Sequence, residues 1–264
     1  MTYLLATYIT ILGLIVGSFL NVLIYRLPRG RGVVAGRSSC PNCRKTLSWV
    51  DLVPVFSWIL LKGKCRNCHK KISWQYPLVE LATGLLFLGA YLRFDIMSLP
   101  DLAFSLFLLS IFVVLIMTDW RHLILPDGVI LFGIGGALIY GVLQRWIWHS
   151  GRYDILSMGN FLAAIMFFGV LYLVWWASSG TWLGLGDAKL MGLIALVFGT
   201  VGALFIFYTA IIIGGIIGLG LYLSRRADLK TKLPLGSYIC LVAILYVFQG
   251  LWLADQLNFY LLFR

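Results

Sequence analysis

The chain has 264 residues, of which 61% are hydrophobic and only 12% charged, and its mean hydropathy of +0.94 excludes an ordinary soluble domain. Its formal net charge of +11 raises nucleic acid as a partner. The basic residues lie beside apolar blocks, however, with no aromatic-lined groove or recognition motif, so membrane lipid is expected and nucleic acid is not.

The apolar residues come in blocks long enough to cross a bilayer core as helices, the natural spanning element where backbone polar groups cannot face lipid. In chain order the expected spans are roughly 4 to 25, 77 to 92, 102 to 118, 128 to 144, 160 to 178, 188 to 199, 201 to 223 and 235 to 253. The first has no basic n-region and no small-residue cleavage site, so it is expected to be retained rather than removed as a signal peptide. A single helix over 188 to 223 would be too long for a bilayer, and a division near Gly199 and Thr200 brings the count to eight. The predicted class is an all-α polytopic membrane protein. Its expected parts are a first transmembrane helix (1–25), a cytoplasmic loop domain (26–76) and a seven-helix membrane domain (77–264).

Charge distribution tests the count, because cytoplasmic loops carry the excess of Lys and Arg. Of the 21 basic residues, 11 fall between Arg26 and Lys71, and a second cluster, Arg225, Arg226, Lys230 and Lys232, precedes the last span. Eight spans put both clusters on one side; seven put them on opposite sides. The preferred topology makes the long loop cytoplasmic and both termini periplasmic or extracellular. Arg93, Arg145 and Arg152 then face outward, scattered singly.

Within the loop, "CPNCRK" and "CRNCHK" form two Cys-x2-Cys knuckles separated by 21 residues. Cys40, Cys43, Cys65 and Cys68 supply the four thiolates of a closed, tetrahedral structural Zn2+ site, with no open position for chemistry. Disulfides are disfavoured on the reducing side of the membrane, and the duplicated spacing favours metal over a redox pair. His69 is expected at the surface, and Cys240 is expected to be a small buried hydrophobe.

Ten acidic residues are present, one of them Glu. Asp51, Asp95, Asp101, Asp154, Asp228 and Asp255 fall in loops or at ends, where solvation or capping suffices. Glu80 lies inside a span and is expected to pair with a loop Arg. Asp127 follows Pro126 and reads as a helix cap. Asp119 ends an apolar helix, a poor electrostatic position for an anion. Asp187, in "GLGDAKL", begins a span where exposed N–H groups favour its charge, and Gly184 and Gly186 permit close approach of backbone or substrate. By charge parity Asp119 and Asp187 share the cytoplasmic face. Two carboxylates sharing one proton can hydrolyse a peptide bond, and ion or proton transport is the alternative use of such carboxylates. The glycine-rich runs at Gly13 to Gly17 and Gly214 to Gly220 read as helix-packing faces rather than nucleotide loops.

Taken together, "GSFLNVLIYRLPR", "CPNC...CRNC", "YPLVELATG", "DWRHLILPD" and "GLGDAKL" resemble, in their order and spacing, the type IV prepilin peptidase family. The resemblance implies that the catalytic carboxylates are Asp119, first in a D-x6-P-D motif, and Asp187, in a G-x-G-D motif. It implies cleavage of the basic leader of type IV prepilins or pseudopilins at the cytoplasmic face of the bacterial inner membrane. It further implies methylation of the new N-terminal residue, usually Phe, with S-adenosylmethionine as donor; the family associates this step with the region Gly17 to Glu80. No donor-site residue is readable. "KLPLG" matches a K-x-P-x-G segment, and Ser237 stands where many relatives have Pro, a departure expected to leave the aspartates untouched. The alternatives are a protease-only relative, an ion-coupled transporter, for which internal repeats are lacking, and a noncatalytic assembly factor, which leaves the aspartates without a task.

Overall fold

The computed structural model describes residues 2–33, 36–93, 99–148, 151, 153–225, 228 and 233–262, with side chains described between residues 3 and 248. The expectations for Asp95, Arg152, Arg226, Lys230 and Lys232, and for the side chain of Asp255, lie outside these. Among the described residues the chain is helical, as expected, with two isolated β-bridges, Ser39 with Thr46 and Lys64 with Lys71. It divides into two compact units, 1–102 and 103–264.

In the first unit, α1 (Thr2–Arg26) runs antiparallel to α3 (Gln75–Arg93). Small residues set their approach: a Cβ built on Gly13 would lie 2.8 Å from the Gly84 Cα, and one on Gly17 would lie 2.7 Å from the Glu80 Cα. Asn21 Nδ2 donates to the Tyr76 carbonyl at 3.1 Å, one helical turn further along the same seam. The expected packing role of Gly13 and Gly17 therefore holds. Between the two helices lie a 3-10 turn (Leu27–Arg29), the cysteine loop, a second 3-10 turn (Val50–Leu52) and the short helix α2 (Phe56–Leu60).

Glu80 is buried, but its partner differs from the expected Arg: Oε2 accepts the main-chain N–H of Val55 at 2.7 Å. Val55 has φ +62°, a conformation costly for a β-branched residue, so this bond fastens a turn that sequence pattern does not announce. Asp51 is likewise more than a solvated carboxylate. It accepts Ser48 N–H and Oγ–H and pairs with Arg66 at 2.8 Å, joining the turn before α2 to the second knuckle.

The second unit holds α4 (Leu99–His122) from Ala103 onward, α5 (Asp127–Leu143), α6 (Met158–Ala177), α7 (Leu185–Leu223) and α8 (Leu235–Leu262). Buried Phe112, Leu108 and Leu115 of α4 and Leu190, Ile194 and Ile206 of α7 form its core. Gly133 and Gly136 let α5 close on Leu193 of α7 and Phe107 of α4. The outward faces of these helices are apolar and exposed, as for surfaces wetted by lipid.

Among the described residues five helices are long and apolar enough to cross a membrane: Tyr3–Arg29, Leu99–His122, Asp127–Trp148, Met158–Ala177 and Leu185–Leu223. Among the described residues α3, which carries Glu80, is not one of them, and the part of α8 with described side chains, Leu235–Phe248, is a shorter apolar helix. The expected spans 188 to 199 and 201 to 223 are one element, α7, whose 39 residues reach about 58 Å, roughly twice a hydrocarbon core. It is nevertheless broken where the division was expected: Gly199 has φ 70° and ψ −174°. Asn160 of α6 donates to the Leu196 carbonyl at 3.2 Å, meeting an acceptor that the interruption frees. A Cβ on Gly199 would lie 2.8 Å from Asn160 Oδ1. Gly199→Val should therefore cost about 2 kcal/mol or more through backbone strain and collision, lowering the thermal midpoint of the purified protein.

Candidate active site and metal centre

The two cysteine knuckles are structural copies. Cys40 accepts from Arg44 N–H and donates its own N–H to Lys45; Cys65 accepts from His69 and donates to Lys70. Arg44 and His69 both take left-handed backbone, φ 56° and 55°, to close the turn. The exposed His69 is thus the counterpart of Arg44, which explains why a histidine beside the last cysteine is not required as a ligand.

The four Sγ atoms lie within 4.8 Å of one another, and Cys40 Sγ is 3.9 Å from Cys68 Sγ. Zn–S bonds of about 2.3 Å place tetrahedral thiolates about 3.8 Å apart, so this donor set fits Zn2+. Main-chain N–H groups of Cys68 and Asn67 directed at Cys65 bring its thiol down to about 7, favouring the thiolate a metal needs. From 27 to 74 the buried described residues are Cys40, Gly63 and Cys65. The loop's interior is its cysteine cluster, and a bound metal would supply the cross-link that a hydrophobic core supplies elsewhere.

Both carboxylates lie in the second unit. Asp119, in the last turn of α4, is buried. Its Oδ2 accepts Ser237 N–H at 2.6 Å and Ser237 Oγ–H at 3.1 Å. Ser237 Oγ also reaches the Ile116 carbonyl. The Ser237 position therefore does touch Asp119, contrary to expectation: α8 begins there, and its first-turn donors face the C-terminal end of α4. A proline has no N–H to give, so this chain holds Asp119 by a contact that the family pattern does not require. Ser237→Ala keeps the N–H and loses the hydroxyl, and should slow any Asp119-dependent reaction by about tenfold to a hundredfold, since a bond to a charged group is worth about 1.5–3 kcal/mol.

Asp187 occupies the first turn of α7, and its Oδ2 accepts the Gly184 N–H at 3.2 Å, the carboxylate half of a capping box. The glycines on either side make room for the protein's own chain. A Cβ on Gly184 would lie 3.1 Å from Asp187 Oδ2, and one on Gly186 would lie 2.9 Å from Leu125 Cβ. Leu125 is the common neighbour, because a Cβ on Gly236 of α8 would lie 2.8 Å from its Cδ1 and 3.1 Å from Asp119 Oδ2. The starts of α7 and α8 thus close on the α4–α5 connection. Gly236→Val should push against Leu125 and Asp119 together. The expected result is a loss of activity of tenfold or more with a stability cost of about 1–3 kcal/mol, read from turnover and thermal unfolding.

Asp127 is the first residue of α5, and Pro126, which has no side-chain acceptor, occupies the capping position before it. The Asp127 carboxylate, expected as a helix cap, stands in the first turn of α5 and pairs with Lys189 Nζ at 2.8 Å, joining the starts of α5 and α7. A groove of about 390 Å3, lined by Ile211, Gly214, Gly218, Leu233 and Tyr238 among others, runs between the second half of α7 and the start of α8. Gly214 and Gly218 pack on Tyr238 and Leu233, as a packing face should, whereas a side chain at Gly215 or Gly220 would meet open space.

A polytopic helical protein with a metal-fitting four-cysteine loop and two carboxylates where helices begin and end is the class these features define. Residues 11–94 match the bacterial peptidase A24 N-terminal domain and residues 106–219 match the type IV leader peptidase family. The chain is 31% identical over 243 residues to a prepilin leader peptidase/N-methyltransferase of Bacillus subtilis, covering 91% of this chain and 92% of that one. It is 33% identical to that of Myxococcus xanthus, over 87% of this chain and 67% of that one, and 30% identical to that of Xanthomonas campestris, over 92% and 91%. The chain belongs to the type IV leader peptidase family. No solved structure matches it.

Proposed function

We propose that this protein is a prepilin leader peptidase and N-methyltransferase of the bacterial inner membrane. It removes the short basic leader of type IV prepilins or pseudopilins at the cytoplasmic face and methylates the amino terminus so formed, usually a Phe. The observation that supports the hydrolytic half is the packing of Gly236, beside Asp119, and of Gly186, next to Asp187, on the same Leu125 side chain, which brings the start of α7 to the connection that follows Asp119. One carboxylate takes a proton from water as the water oxygen bonds to the scissile carbonyl carbon. The other, protonated, gives its proton to the carbonyl oxygen, and collapse of the tetrahedral species breaks the C–N bond as the departing nitrogen is protonated. The basic leader stays on the cytoplasmic side by the same charge rule that orients the enzyme. The groove between α7 and α8, reaching Tyr238 next to Ser237, is suited to the apolar segment behind the leader.

The topology proposed with this reading keeps the loop and both aspartates cytoplasmic and both termini outside. Zn2+ on Cys40, Cys43, Cys65 and Cys68 is structural. S-adenosylmethionine, when bound, supplies an electrophilic methyl group for the freed amine. The buried polar side chains of the first unit do not define its site: Asn21, Glu80 and Thr83 are all hydrogen-bonded within the fold. Methyl transfer therefore rests on family membership, and a protease-only relative is the alternative.

Incubation of the purified protein with a prepilin, the methyl donor and lipid should yield a new N-terminus just before the apolar segment, with one methyl group added by mass. An intact leader on accessible substrate would reject the peptidase. An unmethylated cleaved product, with donor saturating, would leave the protease-only relative.

A further inference from the structure

We propose that the short helix α2 is a membrane-surface anchor whose outer face lies in the headgroup boundary of an anionic phospholipid leaflet. Phe56, Ile59 and Leu60 occupy positions i, i+3 and i+4 and so share one face, and they are 63%, 58% and 79% exposed. The adjoining segment adds Trp49 at 80% and Leu52 at 40%. None of these is needed inward. The inner side of α2 is Trp58, whose ring lies 4.0 Å from that of Trp74 and whose Nε1 donates to the Ile72 carbonyl, with Gly63 against its edge.

Depth identifies the occupant. The Val55 N–H, one residue before α2, is held by Glu80, and Glu80 packs against Gly17 of α1. Gly17 lies nine residues before Arg26, where α1 ends, or about 13 Å inside that end of an apolar spanning helix. Helix α2 therefore starts within a side chain's length of a level well inside the apolar stretch of α1. Tryptophan and large apolar residues, with long basic side chains able to reach outward, suit the boundary between acyl chains and headgroups.

Charge selects among occupants. Between Arg26 and Lys71 there are 11 basic residues and one acidic residue, Asp51. That excess attracts anionic headgroups and repels both a basic leader peptide and a second copy of the same loop. The inference rests on α1 crossing the membrane and is independent of the reading of Asp119 and Asp187.

The test places the photoreactive residue p-benzoylphenylalanine at Leu60 of the full chain, reconstituted in bilayers of phosphatidylcholine with or without phosphatidylglycerol. The same probe at Leu162, exposed on the spanning helix α6, is the positive control. A phospholipid adduct at Leu60 is expected, falling several-fold when phosphatidylglycerol is omitted. No lipid adduct at Leu60 where Leu162 labels would overturn the anchor. So would an adduct exclusively to an added prepilin or to a second copy of the chain, and equal labelling in both bilayers would overturn the anionic preference.

Discussion

Asp119→Asn and Asp187→Asn should each lower leader-peptide hydrolysis by about a hundredfold to ten-thousandfold, the range expected when a positioned acid or base is removed. Asparagine retains the size and hydrogen-bonding reach of aspartate, so Ser237 and Gly184 keep an acceptor and the folded state should survive. What disappears is a proton-carrying group. The double variant should be little slower than either single one, because the carboxylates act as a unit and removing one already disables the pair. Initial cleavage rates, compared with membrane extraction yield and helical circular dichroism, check this. Normal cleavage by either variant would remove that residue from the pair.

Replacing one knuckle cysteine, as in Cys65→Ser, should reduce bound zinc from about one per chain to a small fraction. The loop should then lose its order, because structural zinc contributes about 10–16 kcal/mol to the folding of small domains. With Cys40, Gly63 and Cys65 as the buried described residues between 27 and 74, no apolar core stands ready to take the metal's place. The loop's Lys and Arg residues would become trypsin sites, while α4 to α8, a separate compact unit, should remain resistant. Metal analysis and limited proteolysis of membrane-embedded protein check both halves. Unchanged zinc in Cys65→Ser would exclude the four-thiolate site.

Much of this is written in the amino-acid sequence. Blocks of apolar residues at bilayer length favour helices because backbone polar groups must be satisfied internally, and the observed helix ends fall within about four residues of those expected, except that α8 runs to Leu262 rather than to 253. The cysteine spacing carries its own geometry, since two Cys-x2-Cys turns can present four sulfurs to one point. The break in α7 was legible from length alone, although Asn160, which caps the freed carbonyl, was not.

The tertiary structure decided which groups answer one another. Glu80 takes the Val55 N–H instead of an arginine, Asp127 pairs with Lys189 of α7, and Ser237 reaches Asp119 from 118 residues away. None of these has a local signal, because hydrogen bonds and ion pairs between helices depend on register and crossing distance, which patterns within a single helix do not encode. The motif residues Asp119 and Asp187 were marked by their types and positions. That Gly186 and Gly236 make room for Leu125 beside them is a fact of packing, and it appears only when the helix ends are brought together.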